Sequence, residues 1–250
     1  MKRILVIVFA ILVNTIYSQD VNVLFKEASN FERSLKDEQA LEKYKAILTA
    51  DPANTQALIK SSEILCAIGA RQVDKKAKSG FYNQAKENAD KALATDSNSA
   101  DANYVRAVVA NKLTEVETEN KLLVADLKDV KTYADKALAI NPDHGKANYV
   151  LGKWNYDILN IQWAKKAAIK VLFGGMPDAT IENAIDYMEK CKKLEPYYVR
   201  NFLDLAKAYK FNQNPAKAIE VLNQLTRLPI RTADDVELKA EGKKLLADLQ

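Results

Sequence analysis

Ala89–Ala107 reads ADKALATDSNSADANYVRA, and Ala134–Gly152 reads ADKALAINPDHGKANYVLG. The two stretches align without a gap at an offset of 45 residues, with ADKALA and ANYV present in both. Small residues spaced by three and four share one face of a helix and let a neighbouring helix come close. The residues between the two blocks are rich in Asp, Asn, Ser and Pro, which stop one helix and cap the next. Each stretch therefore reads as the end of one helix, a tight turn and the start of another.

The same spacing recurs outward from these blocks. Ala40, Tyr44, Ile47 and Pro52 follow steps of four, three and five, as do Ala85, Ala89, Ala92 and Ser97, and Ala184, Met188, Cys191 and Pro196. Ala218, Leu222 and Leu225 continue the series, with Pro229 one residue early. A partner helix is expected upstream of each run, at Leu24-Ala28-Phe31, Leu58-Ser62-Leu65, Leu151-Gly152 and Phe202-Leu205-Ala206-Tyr209. This small–large–small–proline pattern resembles the tetratricopeptide repeat, a helix–turn–helix unit of about 34 residues. The expected fold class is all-α: an antiparallel helix-pair solenoid closed by a C-terminal capping helix.

The boundaries follow from the same signals. Pair one covers 21–51, pair two 54–95, pair three 99–140, pair four 144–194 and pair five 198–228, with a capping helix over 232–249. Thr232 reads as the N-cap of that last helix, with Asp234 and Asp235 in its first turn. Ser79-Gly80 and Gly174-Gly175 read as breaks inside pairs two and four, and Lys146–Phe173 as one long helix carrying Trp154 and Trp163. With seven Gly and six Pro in 250 residues, loops must be short, and one elongated domain over 19–250 is expected.

The N-terminus reads differently. Lys2-Arg3 precede the apolar run Ile4–Val13, and Ser18 is a small residue suited to the site before a cut, so 1–18 is expected to be a signal peptide with Gln19 as mature start. The run is shorter than the roughly 20 apolar residues of a spanning helix. Export to a periplasm or secretion follows as the expected localisation. Setting Lys2 and Arg3 aside, the formal charge falls from +4 to +2, which gives no support to nucleic-acid binding. Cys66 and Cys191 fall on apolar stripes about five helices apart, too far to bridge, and read as small buried hydrophobes.

A closer likeness lies in residues 148–196. Leu151-Gly152-Lys153-Trp154, Trp163-Ala164-Lys165-Lys166, Leu172-Phe173-Gly174, Pro177, Ala184 and Glu195-Pro196 together resemble the regulator of microtubule dynamics family. The likeness continues through Asn201, Leu205-Ala206 and Tyr209 to Leu228-Pro229 and the terminal helix. It implies a repeat scaffold, linked in that family to microtubules, to contacts between organelle membranes and, in one branch, to lipid binding. Tubulin is not an expected partner, because a short cleavable leader looks bacterial and a periplasm holds no microtubules.

No motif for catalysis emerges. There is no glycine-rich phosphate loop, GxSxG element or paired-Cys metal spacing, so no catalytic residue, metal ligand or cofactor is assigned. His144, the single histidine, reads as an exposed residue of the NPDHG turn. Glu115, Glu117 and Glu119 read as a solvated helix face paired with Lys112 and Lys121.

The groove is the remaining candidate. Tetratricopeptide solenoids line their concave surface with the first helix of each pair. Residues one step beyond the packing stripe run from Phe25, Ser29, Ile59 and Glu63 at the N-terminal end to tyrosine and lysine at the C-terminal end. Tyr104, Tyr149, Lys153, Tyr156, Lys207 and Lys210 are the candidate partner-binding residues, with the lysines expected as solvated charges suited to an anionic partner. The Lys and Asn set of the carboxylate-clamp variety is not found there. Two functions stand at this point: a non-enzymatic scaffold holding a protein or peptide segment, or a carrier of a lipid or other amphiphile.

Overall fold

The computed structural model describes residues 21–250, apart from the side chains at 163 and 164. The expected signal peptide lies outside the described residues. Among the described residues twelve helices follow one another, with no strand: α1 (21–33), α2 (Asp37–Ala50), α3 (Thr55–Ala70), α4 (Lys75–Thr95), α5 (Ala100–Thr114), α6 (Asn120–Ile140), α7 (Gly145–Asn160), α8 (Trp163–Phe173), α9 (Ile181–Leu194), α10 (Val199–Phe211), α11 (Pro215–Arg227) and α12 (Asp235–Ala247). None of them is long and apolar enough to cross a membrane.

The helices pair as the repeats require: α3 with α4, α5 with α6, α7 with α9 and α10 with α11. The small residues of the repeat are the reason. Ala40, Ala85, Ala89, Ala134, Ala184 and Ala218 are fully buried, each under a neighbouring helix. At Gly152 a Cβ would meet Met188 Cγ at 2.7 Å and the Ala184 carbonyl at 3.0 Å, so α7 and α9 touch backbone to side chain.

The turns between pairs share one construction. Asp51, Asp96 and Asn141 leave the helix with ψ near 90°, an extended conformation that a following proline also favours. Each then accepts a backbone N–H two residues on through its side chain, at 3.3, 3.0 and 3.1 Å. The next helix is capped by Asn54, Ser99 or His144, whose side chains accept the third N–H of α3, α5 and α7. A cap of this kind is worth about 1 kcal/mol. The repeated Asn of ANYV completes the turn from inside. Asn103 donates to the carbonyls of Ser97 and Ser99, and Asn148 to those of Pro142 and His144.

Several boundaries differ from the sequence reading. Ser79-Gly80 do not break anything; they lie inside α4, which Asp74 caps by accepting the Ala77 N–H at 2.7 Å. The helix expected over Lys146–Phe173 is two helices, interrupted at Ile161-Gln162. Thr232 is not the N-cap of α12. Asp235 reaches back instead, accepting the N–H groups of Arg231 and Thr232 and the Thr232 hydroxyl at 2.7–2.9 Å. Glu115 and Glu117 sit in the α5–α6 turn rather than on a helix face, although the Lys112–Glu115 pair forms at 2.6 Å.

The stack is not elongated. Arg71, after α3, pairs with Asp37 at 2.8 Å and with Asp234, ahead of α12, at 3.0 Å. The second oxygen of Asp234 accepts from Arg200 at 2.8 Å. The small rotation between successive pairs has thus curled the solenoid until its last segment meets its second pair across the concave side.

Candidate functional site

The first helices of the pairs face inward, and what they enclose is a central cavity of about 490 Å³. Its wall is built by α3, α5, α7 and α10, and its C-terminal edge by Thr232, Asp234, Leu238 and Glu241. Four of the six candidate residues meet there: Tyr104, Tyr149, Lys153 and Lys207. Tyr156 and Lys210 line a neighbouring depression with Lys207, Phe211 and residues of α12. The six therefore spread over two adjoining hollows with Lys207 on both.

Their chemistry is not the one expected from the sequence. Tyr104 and Tyr149 are each only 7% exposed, so their rings serve mainly as wall. Tyr104 donates its hydroxyl to Glu63 at 3.2 Å, and Tyr149 to Asp204 at 2.7 Å. Burial, joined by the adjacent carboxylate, raises both phenols well above their ordinary pKa, so they remain donors. Lys153 is not a free solvated charge but is held by Asp157 at 2.6 Å. Lys207 lies 2.9 Å from Glu241 and 3.5 Å from Asp204. Among the described residues, Lys210 alone of the three lysines has no ion-pair partner.

The N-terminal half of the cavity repeats this pairing. Burial would push the Glu63 carboxyl up, but Lys146 and Lys60, at 3.3 and 3.4 Å, outweigh it and hold the group at about 2. The wall is thus a lattice of matched charges, presenting donors and acceptors in alternation. It suits a ligand with both, such as an extended backbone, better than a purely anionic one.

Two aromatic residues belong to this surface although the sequence reading set one aside and passed over the other. His144 is not an exposed turn residue. Its Nδ1 accepts the Ala147 N–H, so Nε2 carries the proton and donates to Asp101 at 3.0 Å, while the ring lies 4.7 Å from that of Tyr104. Tyr198, at the start of α10, stands edge-on to Tyr149 at 5.1 Å. In both cases the cap residue of one pair packs on the groove tyrosine of the pair before. Each contact joins residues of successive pairs, so no local pattern in the sequence announces it.

Among the described residues no catalytic constellation accompanies these groups. Cys66 lines the cavity, but burial pushes its thiol to about 12, so it is not a thiolate at neutral pH. Cys66 and Cys191 are both free and buried. Among the described residues no cluster of three or more His, Cys, Asp or Glu could hold a metal ion.

Comparison with known proteins agrees with this architecture. Among solved structures, a thermophilic tetratricopeptide protein of Thermus thermophilus superimposes with a TM-score of 0.64 at 14% identity, covering 91% of this chain and 99% of that one. The PilF protein of Pseudomonas aeruginosa follows at 0.55 and 14% identity, covering 93% and 88%. At these identities the likeness concerns the fold. In sequence, regulator of microtubule dynamics protein 1 of Mus musculus is 31% identical over 101 residues, which is 40% of this chain and 33% of the relative. Regulator of microtubule dynamics protein 2 of Mus musculus is 29% identical over 100 residues, 40% of this chain and 24% of the relative. The chain therefore spans about a third or less of the length of these relatives in the matched region. The family model for regulator of microtubule dynamics protein 1-3 matches residues 24–250, nearly all of the described helices, and the chain belongs to that family.

Proposed function

We propose that this protein is a non-enzymatic, exported scaffold that holds a segment of a protein partner in its central cavity. One observation carries the reading. The cavity is lined by the inward helices of four successive pairs, and its polar groups are paired donors and acceptors rather than a one-sign patch. An extended backbone can insert between such pairs, because it offers an N–H and a C=O at every residue. Half-buried Val108 and Asn111 on α5 leave room at the centre of the wall. The export half of the proposal is supported by Lys2-Arg3, the run Ile4–Val13 and Ser18. What the names of the relatives say of microtubules is left with those relatives.

Native mass spectrometry of the protein recovered from the exported fraction, without detergent, reads both halves. A mass beginning at Gln19 with no added ligand is expected. A mass still containing Met1 defeats cleavage after Ser18, absence of the protein from the exported fraction defeats export, and a co-purified lipid favours the amphiphile carrier over the scaffold. Binding itself is tested with peptides selected from a displayed library. Val108→Trp should fill the cavity and weaken capture by at least roughly tenfold, or about 1.4 kcal/mol. Lys91→Trp, on the exposed outer face of α4, should leave capture unchanged with helicity intact in both. Equal capture by the Val108→Trp variant moves the binding surface elsewhere.

A further inference from the structure

Pair four differs from the others in placing an additional helix, α8, between its two packing helices. Insertions in repeat arrays collect on one edge of the stack, where they add a surface without disturbing the core. Among the described helices α8 packs on α6 alone. Its inner side is fixed there: Ile169 is fully buried, and Lys128 of α6 donates to the Leu172 carbonyl at 3.1 Å and lies 5.0 Å over the Phe173 ring.

The outer side is also apolar, and among the described residues nothing covers it. Val171 is 79% exposed, Leu172 41% and, just beyond the helix, Met176 44%. Ala167, one turn before Val171, is exposed on the same side. A helix that is apolar on both sides normally lies between two neighbours. This one has a single neighbour.

Charge decides what the second one is. Residues 158–177 contain Lys165, Lys166 and Lys170 and no acidic residue, in a chain whose 37 Lys and Arg, less these three, are nearly matched by 33 Asp and Glu. Lys165 and Lys170 are exposed, and Lys166 turns back to the Leu159 carbonyl at 3.4 Å. The nearest acidic side chains in sequence, Asp157 and Asp178, stand outside the run, and Asp157 is committed to Lys153. Lysine is depleted at protein–protein contacts, whereas exposed aliphatic side chains flanked by lysine make a helix that lies flat in a membrane interface. Eleven residues at about 1.5 Å each are also far too short to span a bilayer.

We propose that α8 and the turn through Met176 form a membrane-docking edge, with Val171, Leu172 and Met176 entering the headgroup region and Lys165 and Lys170 meeting anionic phospholipid. The docking surface is separate from the central cavity and does not depend on what that cavity holds.

Vesicle co-sedimentation tests it, with the chain beginning at Gln19 so that the apolar run Ile4–Val13 cannot itself partition. All the described helices lie within that chain. Vesicles of mixed phosphatidylglycerol and phosphatidylcholine should pellet the protein, vesicles of phosphatidylcholine alone should pellet much less, and added salt should release it. Val171→Asp, Leu172→Asp and Met176→Asp together should lower binding by more than roughly tenfold. These positions are exposed, so unchanged circular dichroism is expected. Lys165→Gln with Lys170→Gln should remove the preference for anionic vesicles. Val108→Trp in the cavity should leave vesicle binding intact, which separates this surface from the groove. The proposal is overturned if the wild-type chain stays in the supernatant, if the triple variant pellets as well as wild type, or if sedimentation velocity shows a second copy covering α8 instead.

Discussion

Ser99 and His144 do the same work at the starts of α5 and α7 and line one depression beside Tyr104, yet only His144 also packs a ring on a groove tyrosine. The two repeats around them superimpose turn for turn: the same extended residue after the helix, the same side-chain acceptor two residues on, the same asparagine stapling the turn from inside. Their groove tyrosines then diverge. Tyr104 looks back to Glu63 on α3, and Tyr149 looks forward to Asp204 on α10. The repeat dictates the backbone and the position of each side chain. What a side chain does there is set by the neighbouring pair, which lies about 40 to 55 residues away in sequence.

The packing stripe should separate the two repeats most sharply. Ala107 and Gly152 occupy equivalent places, both fully or almost fully buried, but only the second faces Met188 and a backbone carbonyl at contact distance. Gly152→Leu should destabilise by about 3 kcal/mol or more, because Ala184 cannot withdraw its carbonyl without moving α9. Ala107→Gly should cost less, about 2 kcal/mol, roughly half from helix propensity and half from one lost buried methyl. Chemical denaturation of the two variants measures both. Equal costs would mean that α7–α9 is no closer than its counterpart α5–α6.

Next comes the polar half of the same comparison. Glu63 keeps Lys146 and Lys60 when Tyr104 loses its hydroxyl, so Tyr104→Phe should cost about 1 kcal/mol. Asp204 is 8% exposed and otherwise holds only Lys207, at 3.5 Å, so Tyr149→Phe leaves a buried carboxylate short of a donor. About 2 kcal/mol is expected there. A reversed order in denaturant midpoints would show that Lys207 closes onto Asp204 once the phenol is gone.

Local chemistry explains which of these features the sequence displayed. The alanine stripes, the Asp and Asn turns and the caps act within a few residues, so the helix pairs could be read from 89–107 and 134–152 alone. The interruption of α7 and α8 at Ile161-Gln162 could not, since neither glycine nor proline marks it and the packing of Ile169 and Phe173 on α6 decides it. Ser79-Gly80 misled for the opposite reason. Gly80 is exposed with open space around it, and a single exposed glycine costs a helix only about 1 kcal/mol. In the groove, the positions of Tyr104, Tyr149, Lys153 and Lys207 followed from the helix face. Their pairing with Glu63, Asp204 and Glu241 did not, because those partners arrive from other repeats. The pairs local to one helix, Lys153 with Asp157 and Lys207 with Asp204, follow instead from spacings of four and three.

The smallest effect tests the turn that both repeats share. Ser97 stands where Pro142 stands in the second repeat. Its predecessor Asp96 already has φ −145° and ψ 92°, matching φ −134° and ψ 94° at Asn141 before the proline. The Ser97 carbonyl accepts from Asn103 at 3.0 Å as the Pro142 carbonyl does from Asn148 at 3.2 Å, and neither contact needs an N–H at the preceding nitrogen. Proline at this position restricts the unfolded chain while the folded turn already has the required shape. Ser97→Pro should therefore stabilise the protein by about 0.5–1 kcal/mol. A raised denaturant midpoint with unchanged slope is the expected result. A lowered midpoint would mean that the two turns, alike in their hydrogen bonds, differ in the φ of the residue that follows Asp96, and that the shared backbone ends one residue earlier than the geometry of Asp96 implies.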